Sequence, residues 1–304
     1  MRSRNSNSVC SFEFQVSNLK SGAHHSAFHA FTLIEMLTVI AIIGILAAMI
    51  GPTVTHFRKG DATLSATRQM LDAVAHARQL AISQRTTVYM VFVPTNFWGN
   101  DPFNSSQANA WGGLNSTLQN SATVTQLYGA QLTGYFFASL HGLGDQPGQS
   151  YPRYLGTLKV LPEAAFIPNF KFTAPPRSVA PFILVTNTAT SQGFPIYGFL
   201  TTNNIPFPTA EAKTSGTPYV TLPYVAFNYL GQLIDSDGNV RDYDEYIPLA
   251  HGSVGYSLNL TNRMPIQASP TSTESPPGNS IEAYNLIHID ALTGRARLEH
   301  REVQ

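Results

Sequence analysis

Apolar and polar positions divide the chain into three regimes. From Phe31 to Ile50, twenty residues run with a single ionisable side chain, Glu35. At about 1.5 Å per residue such a helix spans roughly 30 Å, the thickness of a bilayer's hydrocarbon core. Amides in lipid must be paired within their own segment, so the run predicts a transmembrane helix over 31–50. After Gly51-Pro52 the pattern becomes amphipathic. Ala62, Ala66, Met70, Ala73, Ala77 and Leu80 recur at spacings of three and four, which predicts a helical continuation over 51–86. Its small-residue face predicts close approach of a sheet. Pro52 removes one backbone donor and crowds the preceding turn, so a bend is expected there, with Gly60-Asp61 as a second soft spot.

The third regime, 87–304, reads as β-rich. Thr86 to Val93 is dense in β-branched and aromatic residues and ends at Pro94, predicting a strand buried on both faces. Thr95 to Ser150 shifts to Asn, Gly, Ser and Gln, the composition of a long loop, with Tyr135-Phe136-Phe137 as a short strand inside it. Further strands are expected at 158–161, 181–186, 195–200, 219–228, 254–260, 284–290 and 295–299. Turn residues separate them, among them Gly231, Asp237-Gly238 and Thr293-Gly294. Ser269 to Ser280 reads as a flexible loop. The fold class that follows is α+β: one long N-terminal helix packed on an antiparallel, β-rich domain with long loops.

Glu35 changes how the apolar run is read. A carboxylate within a lipid-spanning helix costs about 2.5–3.5 kcal/mol at the centre, so it calls for a partner or a function. Phe31-Thr32-Leu33-Ile34-Glu35 after a small residue, Ala30, followed by an apolar helix, resembles the signature of type IV prepilins and type II secretion pseudopilins. That family implies a leader, Met1 to Ala30, cut between Ala30 and Phe31 by a prepilin peptidase. It also implies N-methylation of the Phe31 amine, an assembly role for Glu35 against a neighbouring subunit's amine, and a helix bend at Pro52. Ala30 stands where the family usually has glycine, and the thirty-residue leader is longer than is typical. A removable secretory signal fits less well, because its apolar core is shorter, about 7–15 residues.

Three shorter patches resemble the GspH/FimT branch of minor subunits. They are A-R-Q-L-A-I-S-Q-R-T-T-V from Ala77, A-F-N-Y-L-G-Q-L-I from Ala226, and I-H-I-D-A-L-T-G-R-A-R from Ile287. The resemblance implies a pilin-like fold and a minor pilin or pseudopilin assembled into a type II secretion pseudopilus or type IV pilus-like filament for protein export. Its partners would be the peptidase, other subunits, the inner-membrane assembly platform and membrane lipid. The location implied is the bacterial inner membrane, single-pass, with the C-terminal domain in the periplasm or on an extracellular filament. Two alternatives remain at this point: a FimT-like DNA-binding minor pilin, and a membrane-anchored binding domain.

Charge and chemistry narrow the field. Charged residues make up only 12% of the chain, suiting an exported β-rich domain. Removing the leader takes away three basic and one acidic residue, leaving 15 against 17, with no global attraction for nucleic acid. The single cysteine, Cys10, lies in the leader, which excludes a disulfide and thiol chemistry in the processed chain. No nucleophile elbow, zinc-binding helix motif or phosphate-cradling loop occurs, so no enzyme activity is expected.

Two candidate sites stand out. Asp235, Asp237 and Asn239, followed by Asp242, Asp244 and Glu245, have the composition of a calcium loop; a solvated hairpin turn is the expected reading, and no cofactor is expected. Arg295 and Arg297 resemble the G-R-x-R feature of DNA-uptake pilins and have the charge for a phosphate contact. Glu299, Glu302 and the overall charge oppose it, so DNA is not an expected partner.

Overall fold

In a computed structural model the described residues are 32–95, 122–139, 141, 153–173, 182–187, 192–202, 222–258, 260–261, 268–282 and 285–300. Of 47–62, 122–124, 182–187, 192 and 300 only the backbone is described. The chain divides into two compact units, Met1–Pro52 and Thr53–Gln304.

One helix, α1, runs Leu33–Gln84. In the first unit its described apolar side chains, from Leu33 to Leu46, are exposed. Among the described residues, no helix is long and apolar enough to cross a membrane. The helical backbone continues through Pro52 and Gly60 without a break.

In the second unit the small-residue face does what its pattern predicts. Ala66, Met70, Ala73, Val74, Ala77 and Ala81 are buried, and the expected Leu80 is only partly so. They pack on β1 (Val88–Phe92), β2 (Gly134–Ser139) and β9 (Leu222–Phe227). Side chains alternate across a strand, so Val88, Met90 and Phe92 face the helix while Val91 turns to the opposite side. That opposite side is buried as well, under Leu127 and Tyr128 of α2 (Ala122–Gly129). The segment 95–150 is therefore more than a loop: it supplies α2 and β2, and its Leu-Tyr pair closes the second face of the sheet.

The first sheet is antiparallel, in the order β10-β9-β1-β2-β3, with β10 at Leu233–Ile234 and β3 at Arg153–Tyr154. Two short strands join it at the sides, β4 (Lys159–Val160) on β2 and β8 (Leu200–Thr202) on β9. Gln69 of α1 donates to the Tyr135 hydroxyl at 3.1 Å and to the Val160 carbonyl at 2.9 Å, tying the helix to β2 and β4.

A second antiparallel sheet has the order β12-β11-β13-β14, with β5 (Ala165–Phe166) also on β11. Here β11 is Glu245–Gly255, β12 Thr271–Glu274, β13 Asn285–Ile289 and β14 Ala296–His300. A separate hairpin pairs β6 (Phe182–Asn187) with β7 (Gln192–Ile196), and two short helices, α3 (Asn169–Thr173) and α4 (Asn279–Glu282), complete the elements.

Three expectations need correcting. The strand expected at 254–260 begins nine residues earlier, as β11, because Pro248 is accommodated inside it opposite Leu286. The strand expected at 195–200 is split between the end of β7 and the start of β8. The segment 269–280 is not a free loop. It forms β12 and enters α4, where the Asn279 side chain clamps β11 by accepting from His251 N at 2.8 Å and donating to His251 O at 2.6 Å.

The three patches that resemble one branch of minor subunits come together. Arg78 Nε of α1 donates to the Thr293 carbonyl at 2.7 Å, and Leu233 N donates to the Ala291 carbonyl at 2.9 Å. Gly231 and Gly294, both at positive φ (81° and 61°), sit where the two hairpin turns touch. A Cβ on Gly294 would lie 1.9 Å from the Gly231 carbonyl oxygen, and one on Gly231 would crowd Ile82 and Arg78. Only glycine allows this approach at these dihedrals. Gly294→Ala should therefore cost roughly 2–3 kcal/mol, from strain and forced separation of the turns, read as a lowered thermal midpoint.

Candidate functional site

The N-terminal segment carries the first set of candidates. Thr32 is the N-cap of α1: its carbonyl accepts from Glu35 N at 3.0 Å and from Met36 N at 3.2 Å, and its hydroxyl accepts from Glu35 N at 3.3 Å. Thr-x-x-Glu is a capping-box spacing, of which the half made by the Thr32 hydroxyl and Glu35 N is formed. The Glu35 side chain lies in the first turn, where a carboxylate complements the helix dipole, and it is exposed. Among the described residues it has no side-chain partner. Ala30 and Phe31 lie outside the described residues.

The acidic run does not gather into one loop. Asp235 Oδ1 accepts from Asp237 N at 2.9 Å and Asn239 N at 2.8 Å, closing the turn around Gly238 (φ 83°). Asp237 and Asn239 are exposed. Asp244 and Glu245 leave this turn and point into two separate networks. Among the described residues no group of three or more His, Cys, Asp or Glu side chains is placed to hold a metal ion.

Glu245 is the anion of a buried triad. Lys171 Nζ donates to its Oε1 and to the Tyr197 carbonyl, the latter at 2.7 Å, and lies 4.4 Å from the Phe199 ring centre. Arg241 Nη1 donates to Oε2 at 2.7 Å, and Arg241 Nε donates to the Ile234 carbonyl at 2.8 Å. All three residues are buried. Burial alone would raise the Glu245 pKa, but Lys171 and Arg241 outweigh it and hold the carboxyl below its ordinary value. Burial lowers Lys171 from the usual lysine value, against the upward pull of Glu245. Nothing in the spacing of Lys171, Arg241 and Glu245 announces this triad, because α3 and the β10–β11 connection meet only in the folded chain.

Asp244 belongs to the second network. His288 on β13 faces Asp244 Oδ2 at 2.7 Å through Nε2 and Glu299 Oε1 at 3.2 Å through Nδ1, and stacks on Tyr246 with ring centres 4.5 Å apart. Asp244 Oδ1 accepts from Ala291 N at 2.8 Å. Arg297 Nε donates to Glu299 Oε1 at 2.6 Å. Burial pulls Glu299 up, yet the hydrogen bonds from His288 and Arg297 hold its carboxyl below the usual value. Arg297 is thus paired within its own strand, β14, at the edge of the second sheet. Arg295 is exposed beside it. Arg297 stands on the edge strand with its charge paired to Glu299, and Arg295 precedes that strand in the turn.

Residues 25–51 match the family model described as the prokaryotic N-terminal methylation motif. The match supports a type IV pilin-like protein and implies processing by a prepilin peptidase and assembly with other pilins. No curated protein and no solved structure matches the chain.

The triad carries a test of its own. Glu245→Gln leaves two buried cations without their anion, a loss expected to cost about 3–5 kcal/mol at neutral pH. A carboxylate with a lowered folded-state pKa contributes stability above its unfolded pKa and loses it as pH falls toward the folded value. Wild type should therefore lose stability on acidification below the ordinary glutamate range, and Glu245→Gln should show a flatter slope there. Denaturant midpoints measured from neutral to acidic pH report both effects.

Proposed function

We propose that the chain is a structural minor pilin or pseudopilin of the GspH/FimT kind, working by assembly rather than catalysis. The observation that carries this reading is the methylation motif over 25–51, with Phe31-Thr32-Leu33-Ile34-Glu35 at its centre. In the proposed cycle the precursor sits in the bacterial inner membrane through 31–50. A prepilin peptidase removes Met1 to Ala30 and the new Phe31 amine is methylated. An assembly platform then draws the subunit into a type II secretion pseudopilus or pilus-like filament that serves export.

Two features of the fold support the reading. The amphipathic half of α1 is fastened to an antiparallel sheet along an alanine-rich face, so that half of the helix is part of the displayed domain. The three patches that resemble the GspH/FimT branch meet at one junction of helix and turns. The DNA-uptake alternative is less well supported, because Glu299 already pairs with Arg297.

Processing is the test. Co-expressed with an active prepilin peptidase, the full chain should lose Met1 to Ala30 and gain one methyl group, as read by intact mass. Ala30→Gly should be cut at least as well, and Ala30→Leu poorly, because a site that selects small residues rejects a bulky one. Full-length mass alone, beside a control substrate that is cut, would defeat the proposal.

A further inference from the structure

The junction of the three patches exposes apolar side chains that the fold does not use. Tyr229 and Leu230, at the tip of the β9–β10 turn, are 58% and 57% exposed; Leu292, at the tip of the β13–β14 turn, is 66% exposed; Ile82 on α1 is 39% exposed. Their backbones converge. Gly231 lies against Ile82 and Arg78, the Gly294 turn rests on the Gly231 carbonyl, and the Val88–Phe227 pairing sets the end of α1 beside Asn228 and Tyr229. Hydrogen bonds within each turn brace the tips. The Asn228 side-chain oxygen accepts from Leu230 N at 2.9 Å and Gln232 N at 3.0 Å, and Asp290 accepts from both Thr293 N and its hydroxyl at 2.7 Å. An apolar surface fixed in advance loses little entropy on binding.

Charge indicates what would cover it. Arg85 leaves the end of α1 three residues past Ile82, and Arg295 leaves the turn three residues past Leu292; both are exposed. Among the described residues neither has an acidic partner. Asp290, two residues before Leu292, bonds through Oδ1 to Thr293. Tyrosine and arginine around aliphatic side chains is the composition of a protein interface core. The exposed tips are mainly aliphatic, which suits burial against a protein better than stacking against bases. The chain's formal net charge of zero gives no overall attraction for a polyanion.

We propose that this surface docks a partner protein through a segment carrying Asp or Glu side chains beside apolar ones. The carboxylates would meet Arg85 and Arg295, and the apolar groups would cover Tyr229, Leu230 and Leu292. The surface lies in the second unit, so the inference stands apart from N-terminal processing.

The test uses the full chain in its native cells, with p-benzoylphenylalanine at position 230 as the photo-reactive probe. The expected product is one protein adduct, whose crosslinked peptide contains Asp or Glu next to apolar residues. Its yield should fall about tenfold when Arg85→Glu and Arg295→Glu are introduced together. It should recover when the partner's acidic residues are changed to Lys. An adduct with nucleic acid, an adduct with another copy of this chain, an adduct insensitive to the arginine changes, or no adduct would each overturn the proposal. Intact mass of the same membrane preparation reports processing separately, so each reading succeeds or fails by itself.

Discussion

Between Ala66 and Ala81 the second half of α1 presents side chains short enough for a sheet to lie directly against the helix. Met70 and Val74 fill the space that the alanines leave, and Val88, Met90, Phe92, Phe137, Val225 and Phe227 rise from three strands to meet them. Protein interiors are packed to crystal density, so a face built from alanine fixes the distance of approach as well as the register. Larger residues at these positions would lift the helix from the sheet. The hydrogen bonds at the rim, from Gln69 to β4 and from Arg78 to the β13–β14 turn, depend on that distance. Polar ties of this kind stabilise little individually but specify where the helix ends meet the domain.

The opposite face of the same sheet shows why a helix was needed within 95–150. A strand set with apolar side chains on both sides must bury both, and α2 places Leu127 and Tyr128 there. The second sheet shares the α1 core through Ile247, Leu249, Ile287 and Ile289, and adds buried polar ties of its own. The Lys171–Glu245–Arg241 triad anchors the start of β11 to α3, and Asp244, His288 and Glu299 link that start to β13 and β14.

What the sequence disclosed follows from periodicity. The alanine stripe, β1, β2, β9, β13 and β14 were all readable, because each is a local pattern of side-chain size and polarity. The acidic run 235–245 was readable only in part: Asp235 closes the expected turn, but Asp244 turns to His288 and Glu245 to Lys171. Those partners are distant in sequence, so no spacing rule marks them. The strand through Pro248 hid behind a residue that usually argues against one. The Thr32 to Glu35 capping box was visible in four letters. It places Glu35 in the first turn, where a carboxylate complements the helix dipole, beside the assembly role expected from the family resemblance.

Those two roles of Glu35 separate in one measurement. As a helix-start residue in a simple anchor, Glu35 is replaceable, and its loss makes the apolar segment easier to insert. As the partner of an adjacent subunit's Phe31 amine in a filament withdrawn from water, it is not, because an unpaired buried charge is costly. Glu35→Leu in the full-length protein, expressed with its peptidase and the major subunit, should be inserted and cut normally. It should then be largely missing from filaments when crosslinked subunits are quantified. If Glu35→Leu enters filaments as efficiently as wild type, the carboxylate is only a helix start and the assembly account is wrong.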